Sequence, residues 1–336
     1  MMIRFFATII VTAAILTSAP PVESNDAAKD GHRITGPYVC KNLSVFLFHG
    51  GDLTVGDNIL TLEEALASGA VIVHETGSVG QLQIENLSEW DVFIQAGDIV
   101  KGGRQDRFLR YDLIIKAHSG KMPLPSFCVE QGRWSQRDGE EATRFGSSNN
   151  MAASRELKLA AKLAGSQKEV WSEVSQLQDM LTDAAEVSVR SGRSASSLQL
   201  TLENQAVHSR AGLYVDAITS EVERYDNVTG FAFAINGRIN SADLYHSPVL
   251  FAKLWPKLIE AAAIEAISKS SDVENDNSLT VADLITWLNE TDNADATSQS
   301  VNDATRLLIK QRDSDVCFET IDSERGTVVH KNVIRK

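Results

Sequence analysis

The sequence predicts an α+β protein. Its first half is strand-rich, arranged as an antiparallel sandwich or partly open barrel, and its second half is helix-rich and carries a hairpin and terminal strands. Three observations lead there. Short runs of Val, Ile, Leu and Phe bounded by Gly and Pro recur between residues 44 and 130, with little helix between them. Beyond residue 150 the apolar residues adopt the spacing of amphipathic helices, opened by Ser caps. Asn236 and Gly237, between two apolar runs, supply the positive φ angles of a two-residue hairpin turn.

In chain order, Arg4, an apolar run over 5–16 and the small residues Thr17, Ser18 and Ala19 have the three parts of an export signal, assigned to 1–24 with cleavage after Ala19 or Ser24. The run is short of the roughly 20 apolar residues a membrane span needs, so an exported chain with no stable span is expected. Residues 25–36 are polar and read as a flexible lead-in to a strand-rich half over 37–134. Strands are expected at 44–48, 70–74, 82–85, 92–95, 99–101, 108–116 and 126–130, with one short helix opened by a Thr61–Glu64 capping box and stopped by Gly69.

Residues 135–150, rich in Arg, Asp, Glu, Gly, Ser and Asn, read as a linker, and 151–336 as a helical α+β half. Within it, 151–163 is helical in composition, and Ser166 with Glu169 makes a second capping box that opens a helix to about residue 184 with Val170, Val174 and Leu177 on one stripe. A Ser/Gly break at 191–197 precedes a helix over 213–223, or a longer one from about Leu198 of which that stretch is part. After the hairpin of 231–235 and 238–244, Pro248 opens a helix to about 267 that Pro256 should kink or divide. Residues 268–277 and 292–302 read as loose, 281–288 as a short helix capped by Thr280, and 306–309, 316–321 and 328–332 as closing strands.

Composition excludes more chemistry than it selects. A net charge of −13 and a pI near 5.0 rule out a basic nucleic-acid-binding surface. The signatures of phosphate loops, nucleophile elbows, zinc helices and paired redox cysteines are missing, and the seven histidines are scattered, so no metal site or cofactor is expected. Three cysteines leave at least one unpaired; Cys40 with Cys317 is the pairing allowed, with Cys128 a buried free thiol. His118 as a base for Cys128 is the one covalent arrangement on offer, with 121–125 between them. Sequons stand at Asn42, Asn86, Asn227 and Asn289.

The segment 96–134 concentrates glycines, charges and strand-like runs. Between Gly97 and Arg110, Lys101, Arg104, Arg107 and Arg110 outnumber Asp98 and Asp106, against the global sign. Gly102 and Gly103 can bring successive amides to a concave anion site, to which Lys101, Arg104 and Arg107 add charge. Gln105, Glu130 and Arg133 complete the candidate ligand site, and Arg238 of the hairpin could join it. Asp98, Asp106 and Glu130 are candidate acid/base groups, provided burial shifts a carboxyl. The competing reading is a structural network of guanidinium and carboxylate groups, with Phe127 and Trp134 in the core.

GDIVKGGRQDR at 97–107 followed by FCVEQGRW at 127–134 resembles the ARPP family, named for association with ADP-ribosylglycohydrolases and rhodanese-phosphatases. QKEVWSEV at 167–174, FAFAINGRI at 231–239 and LYHSPVLFAKLWPKL at 244–258 extend the resemblance over roughly 54–267. It implies a ligand-binding or sensor domain for a small anionic or nucleotide-derived, ADP-ribose-like compound. A hydrolase of such a metabolite and a structural or protein-interaction module are the alternatives.

Overall fold

The computed structural model describes residues 28–29, 31–50, 59–270 and 279–336. The expected export signal over 1–24 and residues 271–277 of the acidic stretch lie outside them. Strands dominate the chain, 40% against 31% helix, which corrects the expectation of a helix-rich second half.

The largest sheet shows why. It consists of β1 (Ala28–Lys29), β2 (His32–Cys40), β3 (Leu43–His49), β13 (Val228–Ile235), β14 (Arg238–Tyr245), β15 (Ala296–Asn302), β16 (Thr305–Gln311), β17 (Asp315–Asp322) and β18 (Val328–Arg335). Their spatial order is β1-β2-β3-β13-β14-β18-β17-β16-β15, every pair antiparallel, so three strands of the first half join six of the second in one sheet through the β3–β13 pairing. β13, VTGFAFAI, is buried along its whole length because helices cover both faces. Its period of two sends Phe231, Phe233 and Ile235 into the core with α6 (Pro248–Ser268), and Ala232 into the core with α7 (Val281–Asp292).

The remaining strands form a smaller body. A six-stranded sheet runs β12 (Phe145–Met151), β8 (Asp98–Gly102), β9 (Arg107–Leu109), β11 (Gly120–Cys128), β6 (Gln81–Asn86) and β5 (Val71–Ser78). A three-stranded sheet runs β10 (Leu113–Ile115), β7 (Asp91–Ile94) and β4 (Ile59–Thr61), with only β4 and β7 parallel. The two share a core that includes Val73, Leu82, Ile84, Ile94 and Leu113. The single strand expected over 108–116 breaks at Arg110–Asp112 into β9 and β10, which enter different sheets. Asp112 enforces the break, since its buried carboxylate accepts the Ala96 amide at 2.7 Å rather than facing solvent.

Several local expectations hold. Thr61 and Glu64 make the capping box of α1 (Leu62–Ala67), and α3 (Gln167–Ala185) buries Val170, Val174 and Leu177, although only half of its expected box forms: Ser166 accepts the Glu169 amide, with no return bond to the Glu169 carboxylate. Others need correction. Residues 32–36 of the expected lead-in are already strand β2, and the expected linker carries β12, whose Phe145 pairs with Gly102 of β8. Residues 155–164 form α2 (Arg155–Leu159) and a π turn, and the longer helical alternative from Leu198 is the better one, divided into α4 (Leu198–Leu202) and α5 (Gln205–Val222). α6 continues through Pro256 undivided, because burial on nearly every side holds it across the hydrogen bond that proline cannot make. Residues 296–302, read as loose, are the edge strand β15.

All three cysteines are free. Cys40 on β2 and Cys317 on β17 lie five strands apart, about 24 Å at about 4.8 Å per strand, far beyond disulfide reach. The sequon residues Asn42 and Asn86 are buried, with their side-chain amides donated to Ala266 and Trp90 carbonyls, so neither is open to modification. Among the described residues, no helix is long and apolar enough to cross a membrane.

Candidate functional site

The two halves of the motif do meet. β8 ends at Gly102, residues 103–106 turn into β9, and the chain leaving β11 at Cys128 folds back over that turn. The approach is close enough to require glycine: a Cβ on Gly103 would lie 2.3 Å from the Phe145 ring and 2.9 Å from the Glu75 carboxylate, at a φ of +53°. Gly103→Ala is expected to cost about 1–3 kcal/mol by overpacking, read as a lowered melting temperature, and an unchanged melt would contradict this placement.

The turn's amides serve the protein rather than an open anion site. Gly102 donates to Asp106 Oδ1 at 3.2 Å, Gly103 to the Glu141 carbonyl at 3.0 Å and Arg104 to Glu75 Oε2 at 3.1 Å. The glycine-cradle reading of Gly102 and Gly103 is thereby corrected: their N–H groups are already satisfied.

Beneath the turn lies a buried quartet of two carboxylates and two guanidinium groups. Asp106 Oδ1 accepts from Arg137 Nη2 at 2.7 Å and lies 3.6 Å from Arg133 Nη2, while its Oδ2 accepts from Ser197 Oγ at 3.2 Å. Glu130 Oε2 contacts Arg133 Nε at 2.6 Å, and Oε1 lies 3.6 Å from Arg137 Nη1. Asp106 and Glu130 are both fully buried. Burial pushes the Asp106 carboxyl up to about 6 against the pull of Arg137. Charges so enclosed must balance one another, and here they do.

Gln105 and Arg107 extend the same network. Gln105 donates to the Glu130 carbonyl at 2.7 Å and accepts from Arg107 Nη1 at 3.1 Å. Arg107, also fully buried, contacts Cys128 Sγ and lies 3.8 Å from Glu75. Burial pushes the Cys128 thiol up to about 11, so it stays protonated. His118 cannot activate it, because the nine residues of β11 separate the two by about 26 Å at about 3.3 Å per residue.

Other expected members fall elsewhere. Lys101 pairs with Glu203 at 3.1 Å, on the side of the turn away from Trp134. Asp98 is buried at the β7–β8 connection, where it accepts the Gln95 amide and lies 3.5 Å from Lys257. Arg238 is exposed at the hairpin turn and, among the described residues, makes no hydrogen bond or ion pair with the motif. Arg137, Ser197 and Glu75 were missed. Arg137 sat in a polar stretch with no periodicity to mark it, and Glu75 on a strand remote in sequence.

Arg104 stands apart. Its guanidinium lies 5.3 Å from the centre of the Trp134 ring, which also carries the buried Arg107 at 5.8 Å. Trp134 is 44% exposed, against its expected place in the core, whereas Phe127 is buried as expected. Both Arg104 and Trp134 line a cleft of about 480 Å³ whose walls include Glu75, Gln136 and Thr143. Among the described residues the Arg104 guanidinium has no hydrogen-bond or ion-pair partner, so its donors remain available.

A second buried electrostatic centre went unsingled in the sequence. His330 bridges Asp112 at 2.8 Å and Asp243 at 3.0 Å and stacks on Tyr245 at 4.3 Å, while Asn332 donates to Asp243 at 2.9 Å and accepts from the buried Lys162 at 2.9 Å. Burial opposes its charge, but the two carboxylates outweigh that and raise it to about 9. Asp292, Cys317 and Glu319 also cluster, within 4.8 Å of one another, but Lys331 lies 2.5 Å from Asp292 and Lys310 2.8 Å from Glu319. That cluster's charge is already met by lysines.

No curated protein and no solved structure matches the chain. A family model described as "ARG and Rhodanese-Phosphatase-superfamily-associated Protein domain" matches residues 31–334, well beyond the stretch over which the motifs carried the resemblance. The chain therefore belongs to the ARG and Rhodanese-Phosphatase-superfamily-associated Protein domain family.

Proposed function

We propose that this chain is a ligand-binding domain for a small anionic, nucleotide-derived compound of the ADP-ribose class, held in the cleft beside Arg104 and Trp134. One observation carries the reading: Arg107 and Arg133 are occupied by protein groups, while Arg104 keeps its planar fork of donors free at a cleft mouth. The ring of Trp134 holds that guanidinium in place, and the buried quartet fixes the turn from which it projects. The family's association with ADP-ribosylglycohydrolases supports the choice of ligand. The signal-like start of the chain supports action outside the cytoplasm.

The hydrolase reading draws on Asp106, whose carboxyl sits up at about 6, near enough to neutrality to exchange a proton. It is the weaker reading because Asp106 and Glu130 line neither of the two clefts that flank the turn. Turnover abolished by Glu130→Gln in a folded protein would favour it.

Calorimetric titration with ADP-ribose, AMP and inorganic pyrophosphate tests the proposal. Loss of a charge-assisted contact is worth about 1.5–3 kcal/mol, so Arg104→Ala is expected to weaken binding roughly 10- to 100-fold while leaving the melting temperature unchanged. Absence of saturable heat from all three compounds would contradict it.

A further inference from the structure

On the other side of the turn, a larger cleft of about 700 Å³ opens between the end of α1, strand β5, the 137–146 segment and α4. That volume is within the range of small-molecule sites. Some of its charges pair within the protein: Lys101 with Glu203 at 3.1 Å, and Arg137 with Glu140 at 2.8 Å. What remains has an unusual balance. Among the described residues the Arg144 guanidinium and the Asp138 and Glu141 carboxylates have no partner, and Arg193 makes only one side-chain bond, to the Asp138 carbonyl at 3.1 Å.

Two cations and two anions thus face one hollow without cancelling in ion pairs, and half-buried Leu66, Ile72 and Leu200 supply its apolar wall. A simple anion would gain from the arginines and be repelled by the carboxylates, and a simple cation would meet the reverse. A compound carrying both charges about an apolar group satisfies every feature. We propose that this cleft binds an apolar zwitterion, an amino acid or short peptide, with its carboxylate toward Arg144 and Arg193 and its ammonium toward Asp138 and Glu141. The site is separate from the Arg104 cleft. The 141–144 segment forms a partition between them: Glu141 and Arg144 line the larger cleft, Ala142 and Thr143 the smaller.

The test is calorimetry on the full chain with L-leucine, L-leucyl-L-leucine, N-acetyl-L-leucine and L-leucinamide. The zwitterions are expected to bind, and the tighter of the two identifies the source as free amino acid or peptide. Each capped compound, lacking one charge, should bind at least about tenfold more weakly, as should the zwitterion to Arg144→Ala or Glu141→Gln. Arg104→Ala should leave this binding unchanged, which separates its fate from that of the nucleotide site. The inference is overturned if no zwitterion gives saturable heat, if the capped compounds bind equally well, or if the folded Arg144→Ala and Glu141→Gln variants bind like the parent.

Discussion

Replacing His330 by alanine is expected to lower the unfolding free energy by about 3–5 kcal/mol, the cost of leaving a buried charge unpartnered. His330 Nδ1 and Nε2 each reach a buried carboxylate, Asp112 at 2.8 Å and Asp243 at 3.0 Å, so both nitrogens carry protons and the ring is a cation. Without it, Lys162 alone would balance two enclosed anions, and its own bond is to Asn332 rather than to either carboxylate. The loss should be large because three distant parts of the chain converge here: Asp112 from the β9–β10 break, Asp243 from β14 and His330 from β18.

The same centre fixes a pH dependence. The folded protein keeps the His330 proton up to about 9, whereas the unfolded chain releases it near 6.5. Its contribution is therefore fully present below pH 6.5 and lost as pH rises through 9, about 3–4 kcal/mol in all at about 1.4 kcal/mol per unit. Asp112 behaves oppositely. The His330 cation outweighs the opposing effect of burial and holds the carboxyl far below its usual range, so that contribution persists above pH 4 and is lost only in strong acid. Urea unfolding across the window from neutrality to about pH 9 should show the decline in the parent and a flatter line in His330→Ala. Parallel lines would contradict the assignment.

Arg137→Ala is expected to cost a similar 3–5 kcal/mol, since Arg137 is the closest counter-charge to Asp106, at 2.7 Å, and also faces Glu130 at 3.6 Å. Two fully buried carboxylates would then share Arg133 alone. Asp106→Asn removes one of those charges, so the double variant should recover part of the loss. A double-mutant cycle in urea measures that coupling, and additive effects would contradict a shared network. The acid limb offers a further check. Asp106 is protonated up to about 6 in the folded state but only to about 3.8 unfolded, so it favours folding in acid, and that support is lost between those values as pH rises.

The parts legible in the sequence were those with local causes. The Thr61–Glu64 box and the Asn236-Gly237 turn are each fixed by residues within a few positions and form as read, and Ser166 caps its helix although Glu169 does not close the box. The meeting of the Gly-Gly turn with the Glu130–Trp134 tail was also legible, because both flank strands of one small sheet. Partners supplied across the fold were not. Arg137 lies in a stretch whose polarity resembles a linker, yet it is buried because Asp106 and Glu130 need its charge. β15, ATSQSVN, carries no alternation to announce it, since an edge strand exposed on most positions has little core to bury. β17, DVCFETID, hides Asp, Glu and Thr in the sheet interior, where Trp287, Lys310 and Asp112 take up the side chains of Asp315, Glu319 and Thr320 that made the second half look less like sheet.

The central claim is that Arg104, held on Trp134, is a free anion-binding group among the described residues, while the motif's Arg107 and Arg133 face protein carboxylates. Its most direct measurement is a tryptophan-fluorescence titration of the intact chain with ADP-ribose, run beside Trp134→Phe and Arg104→Ala. The account predicts a saturable signal that Trp134→Phe abolishes while binding measured by calorimetry persists, and that Arg104→Ala weakens roughly 10- to 100-fold. A signal undiminished in both variants would place the ligand elsewhere and contradict the claim.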